Sequence, residues 1–196
     1  MQLTPQIQRA INFSAKKHCR QKRNDKLPFI VHPFSVAWIL SDHCDDQDTI
    51  AAAFLHDILE DVEGYSYHDM VRDFGKKIAD IVKGVTEPKI SRFKTAGKLY
   101  WRESKQGYLD NLRAAPKESI LVAAADKIHN LRSMIGAYNE VGDKFWKRFV
   151  GSPQDQVWFY REAFKVIQER IGREDIVKEL ERDLVSLEEI VISKET

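Results

Sequence analysis

In the run Ala53-Phe54-Leu55-His56-Asp57-Ile58-Leu59-Glu60-Asp61, one imidazole and three carboxylates interrupt an apolar stretch that extends from Ile50 to Val62. Unpaired buried charge costs several kcal/mol or more, so ionisable groups in such a run need partners or water. At about 100° per residue, His56, Asp57, Glu60 and Asp61 occupy an arc of about 140° on one helix. That polar face either meets solvent as an amphipathic stripe or gathers around a cation. Two distant segments supply further donors. Phe29-Ile30-Val31-His32-Pro33 sets an imidazole just before an expected helix start, where capping and core packing compete with ligation. Ala123-Ala124-Ala125-Asp126-Lys127-Ile128-His129-Asn130-Leu131-Arg132 sets Asp126 behind three alanines that let neighbouring helices approach closely. Asn130 follows one turn later on the same face. Alone, Asp126 would pair with Lys127 or Arg132. Together, His32, His56, Asp57 and Asp126 form a mixed nitrogen and oxygen set that suits Mn²⁺, Fe²⁺ or Mg²⁺, whereas the absence of thiolate disfavours structural zinc. Four protein ligands leave open positions on an octahedral ion for water and a substrate phosphoryl oxygen.

The elements that must position these residues read as helices nearly throughout. Thr4-Pro5 caps a first helix carrying Ile7, Ala10, Ile11 and Ser14-Ala15 inward and ending near His18. Residues 20–31 form a basic, irregular connection, and Pro33 opens a second helix with Val36, Ala37 and Leu40 inside. One helix is expected over 48–61, with shorter ones at 66–73 and 76–85, Gly75 between them and Thr86-Glu87-Pro88 as a stop. The stretch 91–112 has a helical pattern broken by Gly97 and Gly107, and 117–137 is a strong helix. Ser152-Pro153, with Asp155 in the first turn, starts a helix that reaches Ile171 before Gly172. The last helix, 174–191, carries Ile176, Leu180, Leu184, Leu187 and Ile190 as a stripe expected to pack on its own domain. Strand alternation is lacking. The expected fold is all-α, a single-domain bundle of about 8–10 helices.

Bulk properties narrow the class. A chain of 196 residues, 43% hydrophobic and 31% charged, fits one soluble globular domain. A formal net charge of +1 argues against a general nucleic-acid binder. Cys19 and Cys44 lack CxxC spacing, which fits a reducing compartment. With no signal-peptide pattern and no apolar run long enough to span a bilayer, a cytoplasmic location and no membrane association are expected.

His32, the His56-Asp57 doublet and Asp126 resemble the H…HD…D signature of HD-domain metal-dependent phosphohydrolases. The longer strings are more specific. Pro28-Phe29-Ile30-Val31-His32-Pro33, Ala53 to Asp61, Phe74-Gly75 followed by Val82-Lys83-Gly84-Val85-Thr86, and Ala125-Asp126-Lys127-Ile128-His129-Asn130-Leu131-Arg132 resemble, in order and spacing, the hydrolase domain of RelA/SpoT-type (p)ppGpp enzymes. The resemblance runs over residues 5–170 and is to the small, hydrolase-only members. It implies Mn²⁺ held by His32, His56, Asp57 and Asp126, catalytic carboxylates at Glu60 and Asp61, and removal of the 3′-pyrophosphate to leave GDP or GTP. It also implies substrate contacts at Arg23, Asn130 and Ser133, and at Tyr160, for which core packing is the competing role. Domain bounds of 1–172 for the hydrolase and 173–196 for a C-terminal helix packed on it follow.

The chain departs from the family pattern at Asn24-Asp25-Lys26-Leu27, where a glycine-containing turn is usual. Two other readings keep the fold: a phosphatase of NADPH or another 2′- or 3′-phosphorylated nucleotide, and a non-catalytic nucleotide-binding module. The latter could lose Glu60 or Asp61 without cost to folding, yet both are present. The expected partner is a small nucleotide, and a homo-oligomer is compatible with the sequence. Lys16, Lys17, Arg20 and Lys22 could funnel a polyanion toward Arg23 or simply form a solvated helix face. Lys98, Arg102 and Lys105 could reach a phosphate, with no role assigned.

Overall fold

The computed structural model describes residues 1–23, 26–88 and 97–192. Among them lie ten α-helices and one 3-10 helix, and no strand. In chain order these are α1 (Pro5–Lys17), α2 (Val31–Ser41), α3 (Gln47–Leu55), α4 (Ile58–Asp61), α5 (Tyr67–Phe74), α6 (Lys76–Val85), α7 (Lys98–Ala114), α8 (Lys117–Val141), the 3-10 helix (Gly142–Arg148), α9 (Pro153–Ile171) and α10 (Asp175–Ile192). No described helix is long and apolar enough to cross a membrane.

Helix α8 is the spine, packed by α2, α3, α6, α9, α10 and the 3-10 helix. Its alanine run explains how: Ala123, Ala124 and Ala125 are fully buried, so neighbouring backbones come close. The approach is close at α6, where a Cβ on Gly84 would stand 2.4 Å from Ser119 Oγ and 2.9 Å from Ala115 Cβ. The hydroxyl of Ser119 donates to the Ile81 carbonyl at 2.8 Å, fixing the two helices in register. Helix α10 buries Ile176, Leu180, Leu184 and Leu187 toward α8 and α9, at about 1.5–3 kcal/mol per side chain. Helix starts follow local chemistry. Thr4 accepts from the Ile7 amide, Asp46 accepts from Thr49 N at 3.0 Å, and Ser66/Asp69 and Ser152/Asp155 form reciprocal capping boxes.

Several boundaries differ from the sequence expectation. The helix expected over 48–61 is two helices, because the chain turns at His56-Asp57. There the His56 ring nitrogen Nδ1 engages the Ala53 carbonyl at 2.8 Å, competing with the main-chain ladder, and the ladder restarts with Asp57 O accepting from Asp61 N at 2.9 Å. Helix α2 starts at Val31 rather than Pro33, so His32 lies in the first turn and not before it. Helix α8 runs on to Val141, past the expected 137, and leads into the 3-10 helix, which the sequence pattern did not disclose. The pattern over 91–112 is helical from Lys98, and its first residues lie outside the described ones. The same holds for Asn24 and Asp25; beside them, Lys26 adopts φ 69°, a left-handed conformation in the turn whose expected glycine is missing.

Candidate metal centre and cavity

Three separate stretches of chain bring four donors together. His32 comes from the first turn of α2, His56 and Asp57 from the turn between α3 and α4, and Asp126 from the middle of α8. His56 faces the Ala53 carbonyl with Nδ1, which therefore carries the proton and leaves the Nε2 lone pair pointing inward. His32 mirrors it, with Nδ1 2.8 Å from His129 Nδ1 and Nε2 turned toward the same point. The two Nε2 atoms are 3.2 Å apart. Asp57 lies 3.2 Å from His56 Nε2 and 3.5 Å from His32 Nε2, and Asp126 Oδ1 lies 3.2 Å and 3.8 Å from His32 and His56 respectively. His32, His56 and Asp57 each offer a ligand atom within 4.8 Å of the others.

These residues fit a divalent ion. Adjacent ligands at about 2.1 Å from one ion stand about 3 Å apart, the spacing of the facing nitrogens here. Two lone pairs aimed at each other beside two carboxylates make a site that lacks only positive charge. The proton affinities say the same. Burial, with the neighbouring His56, pushes His32 down to about 3, so this ring is neutral and able to ligate. Burial also opposes charge on His56, yet Asp57 and Asp126 overcome it and raise the ring's proton affinity. Burial and the nearby Asp126 push Asp57 up to about 6. The cluster draws in cationic charge at its centre, where a metal would supply it.

A surrounding set of polar contacts holds Asp126. Its Oδ2 accepts from Lys127 Nζ and its Oδ1 from Asn130 Nδ2, both at 2.6 Å. Burial would raise this carboxyl, but Lys127 and His32 hold it well below the usual carboxylate range. Arg23 donates to Asn130 Oδ1 at 3.0 Å, so one hydrogen-bonded chain joins Arg23, Asn130 and Asp126. Arg23 itself is fixed by a tight turn in which its amide donates to the Leu27 carbonyl at 3.0 Å.

Glu60 and Asp61 sit on α4, one turn past the donors, and both open into a cavity of about 450 Å³. The Glu60 carboxylate accepts from the Glu87 amide at 3.2 Å. Glu87 is anchored in turn by Lys105 Nζ at 2.5 Å and by the Ser104 hydroxyl. Although Glu60 reaches the cavity surface, the protein crowded around it displaces bulk water; this desolvation, with repulsion from Asp57, raises its carboxyl to about 7.

All ten residues expected from the sequence come to this place: His32, His56, Asp57 and Asp126 at its floor, Glu60 and Asp61 beside them, and Arg23, Asn130, Ser133 and Tyr160 along the walls. Tyr160 is also packed in the core, its phenol kept neutral by burial. Lys22 and Lys105 line the cavity. Arg102 instead lies over Trp158 and pairs with Asp155 at 3.8 Å, and Lys17 packs on Phe13 and Tyr65. The Lys98 side chain lies outside the described residues. Lys127, offered by the sequence as a partner of Asp126, takes that role, and Arg132 pairs instead with Glu179 and Asp183; sequence reasoning missed His129 as a support of His32. It also missed Phe145, Arg148 and Phe149, for which no local signal exists.

An HD domain model matches residues 10–148 of this chain. The guanosine-3′,5′-bis(diphosphate) 3′-pyrophosphohydrolase of Aquifex aeolicus is 36% identical over 131 residues, covering 66% of this chain and 18% of that protein. The bifunctional (p)ppGpp synthase/hydrolase SpoT of Escherichia coli is 33% identical over 134 residues, covering 65% of this chain and 18% of that protein. The chain thus spans under a fifth of the length of these curated relatives. Among solved structures, one described as a metazoan ortholog of SpoT that hydrolyses ppGpp shares the fold, with TM-score 0.70 and 23% identity over 99% of this chain and 98% of that one. A Listeria monocytogenes protein matches with TM-score 0.67 and 26% identity over 82% of this chain and 97% of that one. With the all-helical fold and the matched span covering most of its length, this chain belongs to the HD domain family.

Proposed function

We propose that this protein is a manganese-dependent cytoplasmic hydrolase that removes the 3′-pyrophosphate of (p)ppGpp, leaving GDP or GTP. The observation that carries this reading is the buried two-imidazole, two-carboxylate cluster opening, beside Glu60, into a nucleotide-sized cavity. The names of the relatives supply the substrate. Residues 1–172 are taken as the hydrolase domain and 173–196 as a helix belonging to it, a reading supported by the packing of α10 on α8 and α9.

In this reading His32, His56, Asp57 and Asp126 hold the ion, which when bound supplies Lewis acidity toward water and the phosphoryl oxygen. Glu60, with a proton affinity raised toward neutrality, accepts a proton from the attacking water, and Asp61 orients that water. The bond between O3′ and phosphorus breaks; the water oxygen leaves with pyrophosphate and one proton passes to O3′. Arg23 lies flat against the base, Asn130 and Ser133 meet the sugar, and Tyr160 closes the wall. The test is a screen of the purified protein with Mn²⁺ against ppGpp, pppGpp, NADPH and dNTPs, identifying the phosphate species released. Pyrophosphate from ppGpp, lost on chelation and restored by Mn²⁺, is the expected result. Release of inorganic phosphate, or turnover that survives chelation, refutes the proposal.

A further inference from the structure

Helix α8 runs along the cavity like a ruler. Lys127, Asn130, Ser133, Met134 and Ala137 line it in succession, so the wall reaches eleven residues, about 16 Å at 1.5 Å per residue, beyond the donor Asp126. At the far end the 3-10 helix folds back against α8. It contributes Phe145, which is buried, and Arg148, which is exposed, while Phe149 follows on the same wall. The Arg148 guanidinium lies 5.9 Å from the Phe145 ring centroid and forms no ion pair among the described residues.

The distribution of charge along this wall is uneven. Near the donors, Lys127 and Lys105 are neutralised by Asp126 and Glu87 at 2.6 Å and 2.5 Å. Lys22, Arg23 and Arg148 line the cavity without a carboxylate partner among the described residues; Arg23 hydrogen-bonds Asn130 beside the donors, whereas Arg148 stands on the 3-10 helix at the far end. A ligand with phosphate only at the reaction end would leave that positive charge unused. We infer that Arg148 is a specificity-determining residue that binds the phosphates which are not cleaved, those on the 5′ side of a nucleoside phosphorylated at both ends. A guanidinium presents a planar fork of donors that matches phosphate oxygens. The Phe145 ring beneath holds that fork in place by its face. This inference rests on the cavity being a nucleotide hydrolase site.

The experiment separates the two ideas by measuring binding without turnover. With chelator present, calorimetric titration of the full chain compares ppGpp with guanosine 3′-monophosphate, which lacks the 5′ phosphates. Arg148→Ala is expected to weaken ppGpp binding by about tenfold and to leave the 3′-monophosphate within about twofold; Arg148→Lys retains part of the difference. Equal weakening of both ligands, no weakening of either, or a wild-type protein that does not prefer ppGpp would overturn the inference. Pyrophosphate release by the wild type with Mn²⁺ is scored separately. Its absence would defeat the hydrolase reading, while the binding comparison still decides what Arg148 reads.

Discussion

Replacing Lys127 by Met tests the electrostatic design of the site most directly. The Lys127 ammonium stands 2.6 Å from Asp126 Oδ2 with both side chains buried, at 8% and 12% exposure. At an effective dielectric constant of 20, two unit charges at that separation attract by about 6 kcal/mol. The ammonium also faces the Tyr108 ring at 4.5 Å, worth about 1 kcal/mol. Against this stands the cost of keeping the ammonium out of water, which the variant no longer bears. The balance for removing one member of such a pair is a loss of about 3–5 kcal/mol, because Asp126 remains charged and buried. Urea unfolding in chelator, followed by circular dichroism, measures it. Mn²⁺ returns positive charge beside Asp126, so the gap between variant and wild type narrows when the metal is added. The double variant Asp126→Asn, Lys127→Met removes both charges and is expected to be more stable in chelator than Lys127→Met alone. The sign of the pH dependence is fixed too. Asp126 has a depressed proton affinity, so its contribution to stability is present above its ordinary value of 3.8 and is lost as pH falls below it. A Lys127→Met protein within about 1 kcal/mol of wild type in chelator would refute the reasoning, since Asp126 could not then be a buried anion held by this lysine.

Glu60 and Gly84 supply the remaining outcomes. Glu60 must be deprotonated to act as a base, so kcat/KM should climb with pH along a limb centred at or below about 7, because a cation beside Asp57 relieves part of the repulsion. Glu60→Gln should lower turnover by about 10²–10⁴-fold and flatten that limb; an unchanged pH profile would remove Glu60 from the chemistry. The stability sign for the same group is the reverse, since a raised carboxyl holds its proton more tightly when folded and loses stability as pH rises from 4.5 toward 7. Gly84→Ala places a methyl 2.4 Å from Ser119 Oγ and should cost about 1–3 kcal/mol in thermal or urea unfolding, and a variant as stable as wild type would show that α6 and α8 separate freely.

How much of this was legible in the sequence depended on whether the signal was local. The donors could be named because each sits in a short string whose residue types are at odds with its apolar setting. The helix starts at Pro5 and Pro153 were legible for the same reason, since Thr4 and Ser152 carry their own capping oxygens. The break at His56-Asp57 was not, because helical periodicity continues through it and only the bond from the ring to the Ala53 carbonyl reveals the turn. The far wall was hidden more deeply. Phe145 and Arg148 acquire meaning only once the 3-10 helix folds back along α8, a relation that no spacing in the chain encodes. The turn after Arg23 was half legible: the absent glycine was plain, whereas Lys26 taking its conformation was not.

The peptide amide of Glu87 that holds Glu60 belongs to a segment kept in place by α7. Ser104 and Lys105 grip the Glu87 carboxylate, and Asn111 donates to the carbonyls of Lys83, Gly84 and Thr86 at 3.0–3.2 Å. The donors stand on α2, on α8 and in the turn between α3 and α4, and α7 reaches them through Tyr108, whose ring lies 4.5 Å from the Lys127 ammonium. Helix α7 therefore braces both sides of the site, Glu60 by way of Glu87 and Asp126 by way of Lys127. A local opening of α7 would release the Glu87 segment, and with it the amide that holds Glu60.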